Sequence, residues 1–118
     1  MKTKHYLLLL LLITTNVIAQ EISLVKDIKL TGLGNSAPNY LTPYNNKIYF
    51  SALDDTHGVE LWVSDGTENG TSLLKDIRVT QSEFDDSNSN PEYLTVFNNK
   101  VYFFANDGNG EALWETDG

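Results

Sequence analysis

The stretch NNKIYFSALDDTHGVELWVSDG, Asn45 to Gly66, returns as NNKVYFFANDGNGEALWETDG from Asn98 to Gly118. Its opening segments, Asn45–Asp54 and Asn98–Asp107, agree at 7 of 10 positions. Working outward, YLT at Tyr40–Thr42 recurs at Tyr93–Thr95, and LVKDI at Leu24–Ile28 recurs as LLKDI at Leu73–Ile77. In chain order the offsets are 49, 53, 53 and 52. Ordered matches at a near-constant offset define a tandem repeat, the signature of arrays whose neighbours bury one another's faces. Length changes fall in two stretches. Four residues are gained across Arg78–Pro91, and one is lost where Asp55-Thr56-His57 becomes Gly108-Asn109. Surface loops absorb such changes.

One unit holds four short apolar runs separated by turn formers. Tyr40–Tyr44 is followed by Asn45-Asn46, a two-residue turn, because asparagine tolerates positive φ. Lys47–Leu53 carries the strand formers Ile48, Tyr49 and Phe50. Asp54–Gly58 turns the chain into Val59–Ser64. Asp65–Gly70 turns it again, with two glycines for left-handed backbone, into Thr71–Ile77. No stretch shows apolar residues at helical spacing over ten or more positions. The pattern predicts an all-β fold of tandem four-stranded antiparallel meanders.

The faces of these strands refine the expectation. Ile48, Phe50 and Ala52 oppose Tyr49, Ser51 and Leu53, while Val59, Leu61 and Val63 oppose Glu60, Trp62 and Ser64. Apolar side chains on both faces imply cover on both sides. A four-stranded sheet covered on each face by its own copies is a β-propeller-like blade, with stacked solenoid coils as the competing arrangement. Two such blades are expected, the second incomplete. The divisions are 1–19 signal peptide, 20–38 an N-terminal strand of the fourth-strand type (Ser23–Ile28), 39–77 first repeat, 78–91 acidic loop and 92–118 second repeat, which stops before its fourth strand. Repeat folds need about three or more units to bury their faces. The chain is therefore read as a fragment of a longer array, or as a module that assembles with other copies.

Among 118 residues there are 8 basic and 16 acidic side chains, a net charge of −8. Removing residues 1–19 leaves 6 bases against 16 acids, net −10. No basic stripe exists to displace counterions from phosphate, which argues against nucleic acid, and the acidity argues against anionic membrane surfaces. Without cysteine there are no disulfides, thiolate metal sites or cysteine nucleophiles. Lys2, Lys4 and His5 precede an apolar run from Tyr6 to Ile13, then Val17-Ile18-Ala19. Basic start, short apolar core and small final residue predict a secretory signal cleaved between Ala19 and Gln20. An 8-residue core is too short to span a bilayer, where about 20 are needed. The expected location is secreted or cell-surface, without membrane insertion after cleavage.

At LVKDI, NNKIYFSALDDTHG and ELWVSDGTENGTSLLKDI the chain resembles the ELWxxDGT-repeat proteins, secreted bacterial proteins frequent in the Bacteroidetes and often labelled hyalin-like. The resemblance spans roughly Leu24–Gly118 and rests on Glu60-Leu61-Trp62, Asp65-Gly66-Thr67 and Gly70-Thr71 in register. It implies a propeller of many such units and no particular activity. The second copy departs from the motif, reading Ala112-Leu113-Trp114 and then Asp117-Gly118.

Trp62 and Trp114 hold equivalent strand positions and are read as anchors between sheets, with a sugar-stacking platform as the alternative. Asp65-Gly66 and Asp117-Gly118 suit Asx turns, in which the carboxylate accepts amides two residues on. Calcium is the alternative for such oxygen-rich loops, and its best candidates are Asp86, Asn88 and Asn90, whose oxygens alternate. Glycosidase chemistry needs two carboxylates facing across a cleft, and the acids here sit almost all at turns. His57 corresponds to Asn109. No Ser-His-Asp context or phosphate-binding glycine loop is present. The expected role is a non-enzymatic repeat module for surface scaffolding, adhesion or binding of protein or glycan, partnered by further repeats or other copies. The alternatives are a propeller-type polysaccharide hydrolase or lyase, in which Glu60 is one acid to test, and a truncated array fragment without independent function.

Overall fold

A computed structural model describes residues 20–32, 34–80 and 86–118. The expected signal segment 1–19 lies outside the described residues, as do residues 81–85 of the acidic loop. Seven strands and no helix form among the described residues. In the first unit, β1 (Asn39–Tyr44), β2 (Lys47–Leu53), β3 (Val59–Ser64) and β4 (Ser72–Lys75) make one four-stranded sheet in chain order. In the second, β5 (Glu92–Phe97), β6 (Lys100–Asn106) and β7 (Glu111–Thr116) make a three-stranded sheet. Every pairing is antiparallel.

The local causes repeat between units. Asn45 and Asn46 have φ of 50° and 60°, and Asn98 and Asn99 have 47° and 58°. Two successive left-handed residues make the hairpin turn whose twist matches that of the flanking strands. Tyr40 (φ 55°) and Tyr93 (φ 56°) sit at the same irregularity in β1 and β5. There an extra residue bends the strand, as a β-bulge does. β4 is shorter than the apolar run Thr71–Ile77 because both ends bond elsewhere. The Thr71 amide donates to the Glu68 carbonyl at 3.3 Å, and the Ile77 amide donates to the Glu60 carboxylate at 2.9 Å.

The two sheets stack face to face. Tyr49, Leu61 and Val63 of the first unit are buried in one cluster with Leu94, Val101, Phe103 and Ala105 of the second, joined by Ile77 from beyond β4. Fully burying a side chain of this size contributes roughly 1.5–3 kcal/mol. Cross-sheet hydrogen bonds seal the rim, from the Tyr44 hydroxyl to the Asn99 carbonyl (2.5 Å) and from Thr42 Oγ1 to the Leu94 carbonyl (3.2 Å). On the opposite face of the first sheet, Phe50, Ala52 and Trp62 are buried with Ile28 and Leu73 packed on them.

Ser23–Ile28, expected as a strand, pairs with no strand among the described residues. The reason is geometric: the outer edge of β3 is already taken by β4. The segment instead caps the sheet face through Ile28, and the following residues tie down to the first unit. The Leu53 amide donates to the Ser36 carbonyl (2.8 Å), the Thr31 amide to Asp55 (2.9 Å), and Lys29 pairs with Asp55 at 3.1 Å.

Candidate functional site

The two hydrophobic clusters are one arrangement used twice. Phe50, Ala52, Trp62 and Ile28 correspond by the repeat offsets to Phe103, Ala105, Trp114 and Ile77, and each quartet packs together on the equivalent face of its sheet. Ile77 belongs to the tail of the preceding unit. Ile28 thus occupies the place of a preceding unit's tail, and the sheets stack head to tail, one face of the first on the opposite face of the second.

Among the described residues, head-to-tail stacking places no second sheet on one face of the second sheet. Its residues correspond to those the first unit buries: Tyr102 to Tyr49, Phe104 to Ser51, Leu113 to Leu61 and Glu115 to Val63. Tyr49 and Leu61 are each 1% exposed, whereas Leu113 is 64% exposed. Phe97 and Tyr93 add 63% and 65% exposed rings. The rings are organised: Tyr93 meets Phe104 edge-on at 6.2 Å, and Phe97 meets Tyr102 at 6.3 Å. Aromatic pairs at such separations are mutually attractive. Tyr93 also lies 5.8 Å from Tyr40, so the internal interface runs on into the open face. Contiguous exposed apolar faces of this size are uncommon on isolated soluble domains.

The junction between units is held by a buried carboxylate. Glu60, 0% exposed, accepts from the Ile77 amide (2.9 Å), the Arg78 amide (3.4 Å), the Ser89 amide (3.2 Å) and the Ser89 hydroxyl (2.6 Å). Burial pushes its carboxyl above the ordinary value, against the pull of those donors. With its acceptors filled and no exposed surface, Glu60 is a staple rather than a group facing solvent. Ser89 in turn bonds the Asn106 amide through its carbonyl (2.9 Å), as Ser36 bonds that of Leu53. Gly58 (φ 79°) leaves room for this crossing; a Cβ there would lie 2.6 Å from Ser87 Oγ and 2.8 Å from Asn88 Oδ1. His57 Nδ1 lies 2.6 Å from Asp54 Oδ2. The hydrogen bond with Asp54 raises the His57 pKa. Desolvation works upward on Asp54, but the His57 and Thr56 bonds outweigh it and lower its pKa.

The motif residues are placed as follows. Asp65 Oδ1 accepts from the Thr67 amide (2.9 Å) and hydroxyl (2.7 Å), closing an Asx turn. Gly66 donates its amide to Ser64 Oγ (3.0 Å), and Gly118 donates to Thr116 Oγ1 (3.2 Å), so the second copy begins the same turn after Asp117. Trp62 is buried opposite Phe50. Trp114 is half-buried opposite Phe103, and its Nε1 donates to the Ala105 carbonyl at 3.1 Å. Among the calcium candidates, Asp86 Oδ1 accepts from the Asn88 amide (3.0 Å), and Asn88 Oδ1 accepts from the Val59 amide (2.7 Å). Asn90 has φ 49° and donates its amide to the Val59 carbonyl (3.1 Å). No group of three or more His, Cys, Asp or Glu is positioned to hold a metal among the described residues.

Sequence reasoning missed the Glu60 staple and its partner Ser89. The signal available was the wider match of Asn35-Ser36 and Pro38 with Asn88-Ser89 and Pro91 around the YLT motif, beside a lone acid in an otherwise apolar strand. No protein-family model matches the chain, and no curated protein and no solved structure matches it.

Proposed function

We infer that this chain is an exported, non-enzymatic repeat module of the ELWxxDGT kind, whose sheets are propeller-like blades and whose role is surface scaffolding or adhesion through protein or glycan. The observation that carries this reading is the open aromatic face of the second sheet, built from the positions that the first unit uses for contact. Further repeats of the same array or other copies of the chain are the partners that such a face suits, because stacked units bury surfaces that one unit cannot. The signal-like leader supports export.

The test is binding of purified chain to glycan and protein arrays, run beside a polysaccharide-turnover assay. Binding without turnover is expected, weakened by Tyr93→Ala or Phe97→Ala at the open face. Turnover abolished by replacing a single exposed acid would overturn the reading in favour of a hydrolase or lyase.

A further inference from the structure

We propose that the polar cleft between the two units, where β1 and β5 begin, binds one ring of a neutral sugar. The assignment rests on the glycan side of the module reading above and names a site for it.

The cleft has a volume of about 160 Å³ and is walled by the same stretch of both units. Asn39 and Tyr40 enter from the first. Asn90 and Glu92, the repeat counterparts of Ala37 and Asn39, enter from the second. Ser51, directly opposite Asn39 in the β1–β2 ladder, completes the lining. Every wall belongs to the junction between the two units.

The polar groups here are uncommitted. Ser51 is only 5% exposed, yet its hydroxyl meets no hydrogen-bond partner among the described residues. Buried polar side chains are partnered as a rule, so an unpartnered one at a cleft points to a ligand. The side chains of Asn90 and Glu92 also lack partners among the described residues. Asn39 Oδ1 accepts from the Tyr40 backbone amide at 2.9 Å, which leaves its amide nitrogen to donate outward. A hydroxyl, two side-chain amides and a carboxylate supply the donors and acceptors that neighbouring sugar hydroxyls require. The Tyr40 ring adds an apolar wall, braced by Tyr93 at 5.8 Å. Desolvation, and after it the charge of Glu92, raise the Tyr40 phenol pKa, which places that carboxylate within electrostatic reach of the ring. An apolar ring beside a few fixed polar groups is the usual make-up of a small-molecule site.

The walls are set in advance. The Leu53 amide holds the first stretch through the Ser36 carbonyl at 2.8 Å, and the Asn106 amide holds the second through the Ser89 carbonyl at 2.9 Å. The Asn90 amide is itself bound to the Val59 carbonyl at 3.1 Å. Ala37, also in the lining, has φ 42°. Left-handed backbone is uncommon for a residue with no polar side chain to support it, and such strain gathers at ligand-binding positions.

Size and charge narrow the ligand. At ~30 Å³ per water the cleft takes about five waters, more than a bare cation fills and close to one sugar ring. Its charged group is a carboxylate, in a segment of net charge −10 beyond residue 19, so an acidic sugar is disfavoured. Ser51 keeps the space open. Its counterpart is Phe104, which meets Tyr93 edge-on, and a ring at position 51 would stand against Tyr40 in the same way.

The experiment follows the backbone amides of the purified chain by two-dimensional NMR. Glucose, galactose, mannose, fucose and N-acetylglucosamine are titrated singly, beside glucuronate and calcium chloride. A neutral sugar is expected to shift the Asn39, Ser51, Asn90 and Glu92 amides saturably, with glucuronate weaker. Glu92→Gln keeps the side-chain shape and should weaken binding about tenfold or more, the worth of a hydrogen bond to a charged acceptor. Asn90→Gly suits the left-handed backbone and should weaken binding several-fold. Ser51→Phe should abolish it with the folded spectrum kept; if that variant unfolds, the other two carry the test. No saturable shift from any neutral sugar of the set overturns the proposal. So does undiminished binding by Glu92→Gln and Asn90→Gly, tighter binding of glucuronate, or the same shifts from calcium alone. Glycan-array binding that persists in both variants overturns this site and leaves the module reading standing, whereas turnover of a glycan overturns the module reading and leaves the site.

Discussion

Glu60→Ala should be among the most damaging single changes in the chain. The side chain is wholly buried and satisfies two buried amides, those of Ile77 and Ser89, at 2.9 and 3.2 Å. The Ser89 hydroxyl has a second acceptor in the Val59 carbonyl at 3.3 Å, so its loss is softened. Each buried amide left without a partner costs about 1–3 kcal/mol. Release of a desolvated carboxylate offsets part of the sum, and the net expectation is about 3 kcal/mol. For a chain of this size 1 kcal/mol moves Tm by about 4–8 °C, so Tm should fall by about 12–24 °C. Thermal unfolding followed by tryptophan fluorescence measures this, and amide exchange should rise first at Ile77 and Ser89. Glu60→Gln, which keeps one acceptor oxygen, should fall between the two. The pH dependence carries a sign of its own. Because burial raises the Glu60 pKa above its ordinary 4.5, the folded chain holds that proton more tightly than the unfolded chain. Stability from this group is therefore present below 4.5 and lost as pH rises through the folded value, a component that Glu60→Gln removes. A Tm shift below about 3 °C for Glu60→Ala, less than the smallest amide penalty predicts, would refute the staple.

Trp62→Ala should cost about 3–5 kcal/mol, the range for truncating a buried aromatic, because its ring packs with Phe50, Ala52 and Ile28. Unchanged melting with loss of glycan binding would instead make Trp62 a stacking platform. The His57–Asp54 pair should stabilise most between their ordinary values of 3.8 and 6.5. The raised His57 pKa gives stability present below 6.5 and lost as pH rises through the folded value. The lowered Asp54 pKa gives stability present above 3.8 and lost as pH falls through its folded value. His57→Asn, the residue of the second unit, should flatten the alkaline side of a Tm-versus-pH curve, and an unaltered curve would reject the pairing. Calcium titration should raise Tm if Asp86, Asn88 and Asn90 ligate the ion, since a ligand that binds only the folded state stabilises it. No shift at millimolar calcium would dispose of that site.

The repeat, the strand runs and the turns were legible in the sequence because their causes are local. Asn45-Asn46 and Asn98-Asn99 adopt left-handed backbone wherever they stand in a hairpin, and alternating residues must take opposite faces of a strand. Even the two-sided burial of the first sheet followed from that alternation, since Tyr49 and Phe50 point to opposite faces and both are buried. What tertiary structure alone decided was which surfaces meet. Glu60 reads as one more acid until the chain returns 29 residues later and sets Ser89 against it. Ser23–Ile28 reads as a strand, yet strand pairing needs a free edge, and β4 occupies the one at hand. The sense of stacking, and with it the face left open, depends on contacts between residues about fifty positions apart, which no local preference encodes.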